Sequence, residues 1–139
     1  MLSILFYVTL GAAIGHGFAL IASRSQERMP RLFADALVVA AFIYVAFAMA
    51  SMESAWLAVE IGGLFIFVGF VLLGLKRSLS WLWLGWAIHI LWDAGVHMMV
   101  EAAFVPAWYP AVCIGFDAVV AYHVYRMQAN VEPVVGQPA

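Results

Sequence analysis

The chain has 139 residues, of which 67% are hydrophobic and only 10% charged, with a mean hydropathy of +1.02. Soluble domains carry about 25% charged residues, so this composition excludes a water-soluble globule. The net charge of -2 and pI near 6.0 offer no basic surface for nucleic acid. The single cysteine, Cys113, excludes an intrachain disulfide framework, a CxxC pair and a zinc ribbon.

A helix that crosses the hydrocarbon core needs about 20 mostly apolar residues. The first such stretch is Leu2–Ala22. It lacks a basic N-terminal region and a good small-x-small cleavage site, so it reads as a retained helix rather than a leader. A polar link from Arg24 to Arg31, with Pro30, leads to the second stretch, Phe33–Met52. Almost no loop separates this from the third, Ala55–Leu75, so the two are expected to form a tight antiparallel hairpin. Lys76 to Leu79 precedes the fourth, Ser80–Met99. Glu101 to Pro106 then leads into the fifth, Ala107–Tyr125, whose start is bracketed by Pro106 and Pro110. The tail from Gln128 carries Pro133, Gly136 and Pro138 and is expected to be disordered. The reading is an all-α integral membrane bundle of five transmembrane helices, one domain over residues 1–127 with a cytoplasmic tail over 128–139.

The basic residues orient it. Arg24, Arg28 and Arg31 lie in the first loop, Lys76 and Arg77 in the third, and Arg126 after the fifth stretch, while the second and fourth loops have none. Cytoplasmic loops carry the Lys/Arg excess, so the N-terminus is expected outside and the C-terminus in the cytoplasm. Trp81 and Trp83 then fall at the inner start of helix four, and Trp56 and Trp108 at the outer starts of helices three and five. Those are the depths that amphipathic rings prefer. Gly11 and Gly15 have GxxxG spacing, which serves either homo-oligomerisation or, the more economical reading, close packing inside the monomer's own bundle.

Ionisable groups inside such stretches are costly and usually face the bundle interior. Helix one has His16, helix two Asp35, helix three Glu60, helix four His89, Asp93 and His97, and helix five Asp117 and His123. At about 1.5 Å per residue, Glu60 and Asp93 lie roughly 8 and 10 Å below the outer boundary, His89 and Asp117 roughly 15 Å, His97 roughly 5 Å and His16 roughly 21 Å. Glu60, His89, Asp93 and Asp117 are thus expected to form one polar slab opening outward, with His97 at its mouth and His16 as its floor. In His89-Ile90-Leu91-Trp92-Asp93-Ala94-Gly95-Val96-His97 the i, i+4, i+8 spacing aligns three polar groups on one helix face. His and Asp one turn apart can share a metal in helical bundles, and the N/O donor set suits Zn, Fe or Mn. The competing reading is a self-satisfied polar core, with His–Asp pairs and protonated carboxylates. Asp35, just beyond Arg31, is assigned to a cap or interface ion pair, His123 to snorkelling at the inner surface, and Cys113 to packing.

The Trp86, His89, Trp92, Asp93 run, together with Val59-Glu60-Ile61-Gly62-Gly63 and Ile114-Gly115-Phe116-Asp117, resembles a group of small bacterial multi-pass integral membrane proteins that share a domain of unknown function. The likeness extends over most of the chain from helix two onward. It implies a bacterial inner-membrane location and no particular activity.

Four functions compete, the weakest being an assembly subunit with no chemistry, which the polar slab argues against. The first is a metal-dependent intramembrane hydrolase or oxidoreductase acting on a lipid or other apolar substrate. Glu60, His89, Asp93 and Asp117 hold the ion in that reading, and His97 or a remaining carboxylate is the general base. The second is a proton- or cation-coupled carrier with stacked carboxylates and His as a relay. The third is a subunit binding haem non-covalently through His16 and His89 or His97, as no CxxCH motif occurs.

Overall fold

In the computed structural model, which describes residues 2–100 and 104–131, every regular element is helical. The elements are α1 (Leu2–Ala22), α2 (Met29–Ala50), α3 (Ser54–Lys76), α4 (Leu79–Trp92), continued by a π-helical turn over Asp93–Met98, and α5 (Tyr109–Val131). Among the described residues α1, α2 and α3 are long and apolar enough to cross a membrane. Their outward faces carry large apolar side chains, including Leu2, Phe6, Val39, Phe65 and Ile66, each more than half exposed. A contiguous apolar exterior of this kind is foreign to soluble monomers.

Helix ends depart from the apolar stretches where polar residues continue the backbone ladder. α2 starts at Met29 rather than Phe33, because Pro30 suits a first helical turn and Arg31 bonds Asp35 one turn on (Nε to Oδ1, 2.9 Å). α5 runs on to Val131, past the expected end of the ordered domain. The rest of the tail, from residue 132, lies outside the described residues, as does Glu101. The α2–α3 hairpin is as tight as expected, and Met52 takes the left-handed conformation (φ 56°) that so short a turn demands.

Neighbouring in sequence is not the same as neighbouring in space. α2, α3, α4 and α5 form an arc in which α2 packs on α3, α3 on α4 and α4 on α5, leaving the α2–α5 seam loose. α1 lies outside this arc and packs on α5, with little contact to α2. Glycine makes that crossing: a Cβ on Gly11 would stand 1.9 Å from the Val112 carbonyl oxygen, and one on Gly115 would stand 2.0 Å from that of Val8. Gly15 is similarly pressed against Phe116. The GxxxG pair is therefore used inside the monomer, for backbone approach between α1 and α5.

Two apolar clusters fill the arc. One includes Phe33, Leu37, Phe67, Leu82, Trp86 and Val120, towards the end that carries the basic loops. The other includes Tyr44, Ala48, Phe104 and Val105, towards the opposite end.

Gly115→Ala is expected to destabilise the fold by about 3 kcal/mol or more, because a methyl is driven into backbone that cannot yield. Gly17, with nothing near its Cβ position, is the matched control: Gly17→Ala should gain about 0.5–1 kcal/mol from helix propensity. Thermal melts in mild detergent check the opposite signs.

Candidate functional site

Between the two apolar clusters the arc buries five ionisable side chains: Glu60, His89, Asp93, His97 and Asp117, none more than 5% exposed. Glu60 comes from the first third of α3, His89 from the end of α4, Asp93 and His97 from the π turn, and Asp117 from α5. The helix-four spacing aligns its three groups with help from that turn. In a regular α-helix, residues i and i+8 drift apart by about 80° around the axis. The π turn, in which the Met99 N–H reaches the Ala94 carbonyl five residues back (3.1 Å), advances less per residue and takes back part of that drift.

The group divides in two. His89 Nδ1 lies 2.7 Å from Asp117 Oδ2 and 3.6 Å from Asp93 Oδ2. Ligand atoms of His89, Asp93 and Asp117 all lie within 4.8 Å of one another. Beside them, Glu60 accepts a hydrogen bond from Trp92 Nε1 (3.3 Å to Oε2), and its Oε1 lies 3.5 Å from His97 Nε2 without forming a hydrogen bond. Tyr44 joins the halves. Its hydroxyl donates to Asp93 Oδ1 (2.7 Å), and its ring stacks on His97 with centroids 3.8 Å apart and planes 2° from parallel. Glu60, expected in the ligand set, thus stands with His97 rather than among the three.

Other expectations fare differently. His97 does not stand at an open mouth: among the described residues it is buried, and Phe104 and Tyr44 cover its ring. The cause is the aromatic cluster of Trp56, Phe104 and Tyr109 at that end, which the helix-four spacing alone does not reveal. His16 is no floor to the group, because α1 lies outside the arc. It is exposed, its ring 6.2 Å from that of His123 on α5. Asp35 forms the exposed pair with Arg31, and Cys113 is buried.

Tyr44 is the residue that sequence reasoning missed. Its signal was a polar-tipped ring six residues before the end of α2, too deep for an interface anchor and level with Asp93. A glycine supports the Glu60 half: a Cβ on Gly63 would meet the Trp92 ring at 2.8 Å, so its absence lets the indole reach along α3 to Glu60.

Among the described residues, seven buried side-chain N/O atoms lack a hydrogen-bond partner, and all but Trp86 Nε1 belong to these five residues: Glu60 Oε1, His89 Nε2, Asp93 Oδ2, both His97 nitrogens and Asp117 Oδ1. A buried polar atom left unpaired costs about 1–3 kcal/mol, so the demand for partners in the interior is concentrated in this one group. No protein-family model, curated protein or solved structure matches the chain.

Tyr44→Phe keeps the ring on His97 and removes the hydroxyl that bonds Asp93 and meets Cys113, so a loss of about 1–3 kcal/mol is expected. Gly63→Ala should also destabilise, by displacing Trp92, whereas Gly62→Ala, with open space at its Cβ, should not. Melting temperatures of the three variants, with tryptophan emission reporting on Trp92, check both points.

Proposed function

We propose that this chain is a multi-pass membrane protein that binds one divalent transition metal through His89, Asp93 and Asp117, and uses it on a lipid or other apolar substrate. The single observation that carries the reading is the convergence of three N/O donors from α4, the π turn and α5 within 4.8 Å. Two ligand atoms about 2.0–2.2 Å from one tetrahedral ion stand roughly 3.4 Å apart. The 2.7 and 3.6 Å separations from His89 Nδ1 bracket that value. The donor set suits Zn, Fe or Mn, and the site is built in a helix-bundle core from side chains on facing helices.

A bound ion of this kind supplies Lewis acidity and lowers the pKa of a coordinated water. The chain's own residues provide the rest. Tyr44 holds Asp93 in orientation through a hydrogen bond of 2.7 Å, as outer partners of ligating groups do. Glu60 and His97 form a carboxylate–imidazole pair beside the three donors and take the acid–base role, with His97 as the base. Phe104 and Tyr109 keep bulk water from that end.

The membrane frame of this proposal has five spans, the N-terminus outside and the C-terminus cytoplasmic. It is supported by the six basic residues, which gather at one end of the helices. The sequence resemblance supports a bacterial inner-membrane location. One observation favours a second reading, a proton relay in a carrier: the 2.7 Å His89–Asp117 hydrogen bond continues through Asp93 to Tyr44, a connected line of protonatable groups.

Elemental analysis of protein purified in mild detergent separates the two. About one Zn, Fe or Mn per chain is expected, retained in Glu60→Gln and lost in Asp93→Asn and Asp117→Asn, since each removes a ligand charge. Well-folded wild-type protein without metal would overturn the metal reading. Proton-driven uptake in proteoliposomes that fails in Asp117→Asn would then establish the relay.

A further inference from the structure

The loose seam of the arc is not empty of features. Between α2 and α5 lies a groove of about 230 Å³, walled by Ala36, Ala40 and Ile43 on one side and by Val112, Cys113 and Asp117 on the other. Ala36 and Ala40 are one helical turn apart, so their small side chains fall on the same face and hollow it. Val39 also borders the groove and is 56% exposed, which puts its mouth on the outer surface of the bundle. The inner wall is different. Asp117 is fully buried, bonds His89 through Oδ2, and leaves Oδ1 without a partner. The groove therefore leads from the apolar exterior to the edge of the three-donor group.

We infer that this groove is the substrate slot, and that its occupant is the acyl chain of a membrane lipid, entering sideways between α2 and α5. Four observations select that occupant. The wall is apolar apart from Cys113, Asp117 and Tyr109, which disfavours a polar solute or peptide that would leave hydrogen-bonding groups unmet. The outward surface around the mouth, with Val39 and Phe42 both more than half exposed, is suited to hydrocarbon. Among the described residues Phe104 packs on the His97 ring and Tyr109 on the Tyr44 ring at the end of the bundle, and the seam offers an approach from the side. The volume lies below the roughly 300–1,000 Å³ of pockets that enclose a whole drug-sized molecule, which fits a length of unbranched chain with the rest of the lipid outside. Asp117, in the inner wall, is where the groove meets the three-donor group.

This inference rests on the metal-site reading for its purpose, but not for its test. The full-length protein is reconstituted in nanodiscs of phosphatidylethanolamine doped with a phospholipid whose acyl chain carries a diazirine, irradiated, and mapped by peptide mass spectrometry. Label is expected to concentrate on residues 36–43 and 112–117. Ala40→Phe, which fills the slot, should lower that labelling roughly tenfold, because its ring takes the space the acyl chain needs. Labelling of the exposed face of α1 and the bound metal should not change. Ala36→Leu gives the same readout with a smaller side chain, should the Phe variant fail to fold. Even labelling over all outward faces, or groove labelling that survives both substitutions, overturns the inference. Groove labelling in a metal-free protein would uphold the slot while removing the metal reading. Bound metal with no groove labelling would do the reverse.

Discussion

The arrangement of α2 to α5 depends on the burial of five ionisable side chains where four helices meet. Apolar contacts between helices discriminate weakly among partners wherever the surroundings are as apolar as the interface. Directional contacts do discriminate. The Tyr44–Asp93 bond ties α2 to the end of α4, the Trp92–Glu60 bond ties α4 to α3, and the His89–Asp117 bond ties α4 to α5. α4 is thus the hub, and each of its polar contacts sets the register of a different neighbour. Breaking one partner of such a pair strands the other, so the same interactions that mark the site also specify how the helices dock.

The π turn at Asp93–Met98 belongs to this logic. It sits at the point where α4 must present His89, Asp93 and His97 together to three different helices. Wide turns of this kind are often found at functional sites, because they re-aim side chains at some cost in backbone regularity. Gly95, with nothing near its Cβ position, leaves room around the turn. α1 plays a different part. It contributes no group to the site, yet its glycine-mediated contact with Val112 and Phe116 braces the stretch of α5 that carries Asp117. With α5 held between α1 and α4, its contact with α2 stays slight, and the groove that reaches Asp117 follows from that slightness.

Much of the chain could be read without coordinates because hydrophobic length and charge position are properties of the chain itself. The extents of α1 and α3 match their apolar stretches to within about a residue, inside the usual uncertainty of helix ends. The burial of Glu60, His89, Asp93 and Asp117 was legible too, since ionisable groups in apolar helices have few other places to go. Helix ends were less so where polar residues extend the ladder, as at Met29 and beyond Tyr125.

What the sequence determined by itself, then, was the set of helices and the short list of residues that had to be sheltered, both consequences of local composition and period. Only the tertiary structure decided which of them meet. Depth along a helix axis can be counted from sequence, but rotation about that axis and the choice of neighbours cannot. This is why Glu60 went to His97 instead of the metal-type trio, why His16 faced outward beside His123, and why Tyr44 entered the site unannounced. The aromatic residues that close one end, and the alanines that open the side, act through packing between elements distant in sequence. Such packing exists only once α5 has come to rest between α1 and α4.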